Sequence, residues 1–225
     1  MPKRARLYAV LIILAGGFVL AAEAARWACP SLPVFTGCLA LALVGAAFKV
    51  RVPGIAGTLS PSCVPILFAV GTMTWQETVV IALLAAFVQC LWRARRRPTL
   101  LQIAFNAAAL SLSSGIAYAV SHSLAARAPL VLFAAAALVY QVANAAAVAT
   151  ILCLLEGGPL SSVWRNCHLW SFPYHLAGGA VALVWAQAAM PAGVSVSVLV
   201  ALTLYLMKAF YGEIVARSTR TAQLA

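Results

Sequence analysis

The sequence contains no aspartate and only four glutamates, Glu23, Glu77, Glu156 and Glu213. Charged residues make up 8% of the chain, against about 25% in a soluble domain. So few charges cannot cover a water-facing surface. Paired carboxylates for acid–base catalysis are missing, and so are HExxH and GxSxG segments, so an enzyme is not expected. Ion-coupled pumps and carriers usually hold carboxylates at mid-membrane; here Glu77 and Glu156 fall at expected helix ends and Glu213 begins the tail, which argues against active transport by this chain alone. The six cysteines (Cys29, Cys38, Cys63, Cys90, Cys153, Cys167) show no CxxC or other metal-ligand spacing. Most lie in or beside apolar stretches, where a thiol packs as a small hydrophobe. Neither metal nor other cofactor is expected.

What is present is apolar: 64% of the 225 residues are hydrophobic, with a mean hydropathy of +1.00. A hydrocarbon core of about 30 Å takes about 20 helical residues. Eight hydrophobic segments are expected, at 7–26, 34–50, 61–73, 76–92, 99–121, 128–154, 170–189 and 192–212. They predict an all-α, polytopic membrane bundle forming one domain over 1–225.

The net charge of +11 follows membrane topology rather than nucleic acid, because Lys and Arg collect in cytoplasmic loops. With the N-terminus inside, the inner side holds thirteen basic residues: Lys3, Arg4, Arg6, Lys49, Arg51, Arg93, Arg95, Arg96, Arg97, Arg165, Lys208, Arg217 and Arg220. The outer side holds Arg26 and Arg127. Both termini are therefore expected in the cytoplasm, with the chain in a bacterial inner membrane. MPKRAR, the apolar run after it and Ala22-Glu23-Ala24 also fit a cleaved secretory signal; an even number of spans favours a retained first helix. Arg93, Arg95, Arg96 and Arg97 form the densest basic cluster, suited to anionic lipid headgroups or to a docking partner. Trp27, Trp75, Trp92, Trp164 and Trp170 fall near the expected interfaces as anchors.

Polar side chains at membrane depth default to the bundle interior. Gln102 and Asn106 in LLQIAFNAAALS stand four apart, and Gln141 and Asn144 in VYQVANAAAVAT three apart, each pair on one helix face. Both pairs precede three alanines, which let helices approach closely. These amides either line a pocket or bond helix to helix. His175 is a further candidate for the pocket, and Pro173 is expected to bend its helix. With His168 it makes too few ligands for a metal. Ser111, Ser113 and Ser114 suit backbone bonding within their own helix.

KVRVPGIAGTLSPSCVPIL, residues 49–67, interrupts the apolar pattern. Gly54 and Gly57 suit an irregular turn, and Ser60-Pro61 reads as a helix start. Segment 61–73 would rise only about 20 Å, so the loop before it is expected to sink into the bundle. That makes Thr58, Ser60 and the Gly54 and Gly57 backbone either a pocket floor or a connector.

Three stretches carry a resemblance: VPGIAGTLSPSCVPILFAVGTMTWQETVVIALLAAFVQCLWR, RRRPTLLQIAFNAAALSLSSGIAYAVSH and LEGGPLSSVWRNCHLWSFPYHLAGGAVA. Over roughly 45–215 the chain resembles the multi-spanning N-terminal membrane region of bacterial diguanylate cyclase and HD-GYP signalling proteins. That resemblance implies a sensor of a membrane or small-molecule signal. About a dozen residues follow the last expected segment; if they complete the chain, such a module is expected to act through a separate partner. In architecture alone the chain is also similar to the substrate-binding subunits of energy-coupling-factor vitamin transporters, which implies solute binding instead. A structural or lipid-interacting protein without a ligand is the third reading.

Overall fold

The computed structural model describes residues 1–51, 58–94, 97–124, 128–167 and 171–188. They form helices α1 (Lys3–Ala24), α2 (Leu32–Ala47), α3 (Cys63–Thr72), α4 (Trp75–Leu91), α5 (Leu100–Leu124), α6 (Pro129–Glu156), α7 (Leu160–Cys167) and α8 (Phe172–Gln187). A two-residue antiparallel pairing, β1 (Val50–Arg51) with β2 (Thr58–Leu59), closes the hairpin between α2 and α3.

Local chemistry sets the boundaries. Pro33, Pro129 and Pro173 stand in the first turns of α2, α6 and α8, where a missing N–H costs nothing. Pro173 therefore starts α8 instead of bending it, contrary to expectation. Thr74 and Glu77 form a reciprocal capping box at the start of α4. Gly157 ends α6 at φ 74°, a left-handed position that glycine takes without strain. Helix α3 begins at Cys63, not at Pro61. The Cys63 N–H reaches the Ser60 carbonyl and the Val64 N–H the Pro61 carbonyl, a tight turn that delays the helix by two residues.

Helices α1, α5 and α6 are long and apolar enough to cross a membrane. Helices α2, α3 and α4, of 16, 10 and 17 residues, rise about 24, 15 and 26 Å, short of the roughly 30 Å core. The expected segment 192–212 lies outside the described residues. Helix α7, amphipathic and only eight residues long, had no counterpart among the expected segments.

Helix α3 is the centre of the bundle. Every residue from Cys63 to Val70 is buried, walled in by α2, α4, α5, α6 and α8. Phe68 stacks on Trp185 of α8, centroids 3.6 Å apart. Two glycines allow the packing: a Cβ on Gly71 would enter the Phe133 ring, and one on Gly45 of α2 would lie 2.8 Å from the Ser62 backbone nitrogen. Helix α1 sits to one side, packing Ala5 and Ala9 against Phe105, Ala109, Ala147 and Ile151.

The helices alternate so that two ends form. At one, Lys49 donates to the Gln89 carbonyl, Asn106 to Cys90, and Tyr8 meets Phe105. That end gathers Lys3, Arg4, Arg6, Lys49, Arg93 and Arg97. At the other, Thr74 donates to the Ala28 carbonyl and Trp27 packs edge-on to Phe35.

Candidate functional site

Three buried polar groups converge where α3, α6 and α8 meet. Gln141 of α6 is 2% exposed, and its Nε2 donates to the Ser171 hydroxyl just ahead of α8. The Ser171 carbonyl lies 2.8 Å from Nδ1 of His175, one turn on. A neutral imidazole donating from Nδ1 holds Nε2 as an acceptor, so this contact selects a tautomer and a ring orientation. Aromatic rings frame the histidine: Tyr140 at 5.8 Å and Tyr174 edge-on at 5.3 Å. The Tyr174 hydroxyl reaches the Cys63 thiol at the start of α3. Gly178 admits this approach, since a Cβ there would stand 3.2 Å from the Cys63 sulfur. The cluster thus joins donors, acceptors and aromatic faces inside an apolar bundle, which suits binding by shape and hydrogen bonds.

A second polar chain enters the bundle at the start of α3. Gln89 Nε2 donates to the Ser62 hydroxyl at 2.7 Å; Ser62 and Ser60 hydroxyls meet at 3.0 Å; Ser60 donates to the Gly45 carbonyl at 2.9 Å. Because the Ser60 proton goes to Gly45, the Ser62 proton goes to Ser60. The relay therefore runs one way, from α4 through the turn to α2, and aligned bonds of this kind reinforce one another. Lys49 covers a last-turn carbonyl of α4, as a cation at a helix C-terminus should.

The expected site residues separate into distinct places. Gln141, His175 and Ser60 are buried, and Asn144 is half-buried. Gln102 and Asn106 lie at exposed positions, so the four amides do not form one cluster. Gln102 accepts from the Thr99 N–H and its own N–H donates to the Thr99 hydroxyl, a capping box for α5. Thr58 pairs by backbone with Arg51. Gly54, Gly57, Arg95, Arg96 and His168 lie outside the described residues. Arg93 and Arg97 are exposed, and Arg93 adopts φ 47° at the turn after α4.

Sequence reasoning passed over Ser62, Gln89, Tyr140, Ser171 and Tyr174. Gln89 carried the same signal as the other amides, a polar side chain in an apolar helix. Glu77 was set at a helix end, which is where it lies, yet it is only 2% exposed; the Thr-x-x-Glu spacing is the visible trace of its capping role. No group of three metal-ligating side chains occurs among the described residues.

Comparison with known proteins gives no match: no family model fits the chain, and no curated protein or solved structure is significantly similar to it.

Proposed function

We propose that this chain is a receptor-like bundle of the bacterial inner membrane, with eight transmembrane segments and both termini cytoplasmic. It binds a small or lipophilic ligand between α3, α6 and α8 and acts through a separate protein partner. The observation that carries this reading is the buried Gln141–Ser171–His175 set beside Tyr140 and Tyr174. A buried polar network specifies a unique arrangement at a cost in desolvation, and polar groups in membrane helices mark functional positions. The gathering of Lys3, Arg4, Arg6, Lys49, Arg93 and Arg97 at one end supports the orientation. It also suits that end to anionic lipid headgroups.

The test is native mass spectrometry of the chain purified in mild detergent, for a bound species of defined mass. It should be present in the wild type and lost in Gln141→Leu while the variant keeps its helical content. A species retained equally in both removes the site from this cluster, and no bound species in either removes the ligand. Uptake into vesicles that requires added partner subunits would select the solute-transport reading.

A further inference from the structure

Helix α7 stands apart from the rest of the fold. Its eight residues, LSSVWRNC, rise about 12 Å, too little to cross a hydrocarbon core of roughly 30 Å. Positions 160, 163, 164 and 167 hold Leu, Val, Trp and Cys, whereas 161, 162, 165 and 166 hold Ser, Ser, Arg and Asn. Spacings of three and four put the first set on one side of a helix. Among the described residues α7 packs mainly against α6, and that contact leaves the apolar side partly open. Leu160 is 51% exposed, and Val163 and Trp164 are half-buried.

The end of α6 fixes where this helix lies. With 28 residues, α6 rises about 42 Å, about 12 Å more than the core is thick. Ala147 and Ile151, in its last turns, pack on Ala5 and Ala9 of α1. That puts the end of α6 beside Lys3, Arg4 and Arg6, all exposed. Gly157 then turns the chain, and residues 157–159 alone separate the two helices, a reach of about 11 Å at most. Helix α7 is therefore held at the membrane boundary beside a basic surface. Glu156 is the one acidic residue between positions 78 and 212, set against those three cations and Arg165 in α7 itself.

A short amphipathic helix with a tryptophan on its apolar side buries that side where headgroups meet acyl chains, the depth at which indole rings collect. A soluble partner would first have to displace lipid from a helix tethered at that depth. We propose that α7 is a membrane-surface helix lying in the plane of the bilayer, with Leu160, Val163 and Trp164 set among anionic lipid headgroups at the basic end of the bundle. That role builds on the basic end facing anionic lipid and on α6 being long and apolar enough to cross the membrane. It does not depend on a ligand at the Gln141 cluster.

Fluorescence of the full chain in lipid nanodiscs tests it, with the Trp164 signal taken as wild type minus Trp164→Phe. Phosphatidylcholine brominated at a shallow acyl position should remove most of that signal. Bromine near the chain ends, or iodide in the buffer, should remove little. Mixing in phosphatidylglycerol should strengthen the shallow quenching, and added salt should cancel the gain. Leu160→Asp, a change at an exposed position, should move the Trp164 signal from bromine-quenched to iodide-quenched while helical content stays the same. A wild-type signal quenched by iodide places the apolar side in water, and one shielded from both quenchers places it under another part of the chain or a second copy. Either result overturns the proposal. Shallow quenching indifferent to phosphatidylglycerol overturns the anionic preference.

Discussion

Adding one methyl group at two positions of the same helix should have opposite effects. Gly37 and Gly45 both lie in α2. An added Cβ on Gly37 meets no atom within 4 Å, whereas one on Gly45 meets the Ser62 nitrogen at 2.8 Å and the Pro61 carbonyl carbon at 3.1 Å. Those neighbours are backbone of the turn before α3, and that turn is itself held by the Ser60 bond to the Gly45 carbonyl. Gly37→Ala should therefore gain the helix-propensity difference, about 0.8–1 kcal/mol. Gly45→Ala gains the same amount and loses more. Overpacking costs about 1–3 kcal/mol, and displacing the turn weakens the Ser60 bond, worth about 0.5–1.5 kcal/mol net. The sum is a destabilisation of about 0.5–3.7 kcal/mol. Reversible unfolding in mixed micelles, read by circular dichroism, measures both variants against wild type. Equal shifts of the same sign would refute the close packing of α2 on the α3 turn.

Ser62→Ala should destabilise the chain by about 1–3 kcal/mol, since it removes the acceptor of Gln89 and the donor to Ser60 in a buried setting; adding Gln89→Leu should recover part of that loss in the same unfolding assay. Cys29 gives a pH-dependent outcome outside the membrane segments. Its hydrogen bond to Glu77, with a smaller contribution from burial, holds the thiol above its usual range. A raised value means less thiolate at any pH below it, and only the thiolate is alkylated quickly. Glu77→Gln should therefore speed maleimide labelling of Cys29 and move its pH–rate curve to lower pH, read by peptide mass. An unchanged curve would place the carboxylate too far from the thiol to matter.

Much of the helical layout was legible because membrane physics writes it into composition. Segments 99–121 and 128–154 correspond closely to α5 and α6, bounded by Thr99 with Gln102 and by Pro129 with Gly157. Helix α7 was missed because its eight residues LSSVWRNC are amphipathic rather than apolar, so a search for apolar runs passes over them. The two amide pairs, four and three apart, both precede three alanines, yet Gln141 is buried and Gln102 exposed. Periodicity assigns residues to a common face of a helix, but whether that face meets another helix depends on contacts from distant parts of the chain.

The sequence by itself determined the all-helical class, the helix boundaries marked by proline, glycine and capping pairs, and the concentration of basic residues in a few connections. These follow from local backbone chemistry and from the cost of placing charge in hydrocarbon. Only the tertiary structure decided that residues 63–70 of α3 form the buried centre, that Ser171 meets Gln141 across thirty positions of sequence, and that Thr74 stands between Glu77 and Ala28. Each of those facts is a relation between separate elements. It is set by which helix faces can approach closely, at Gly45, Gly71 and Gly178, and no single segment carries that information.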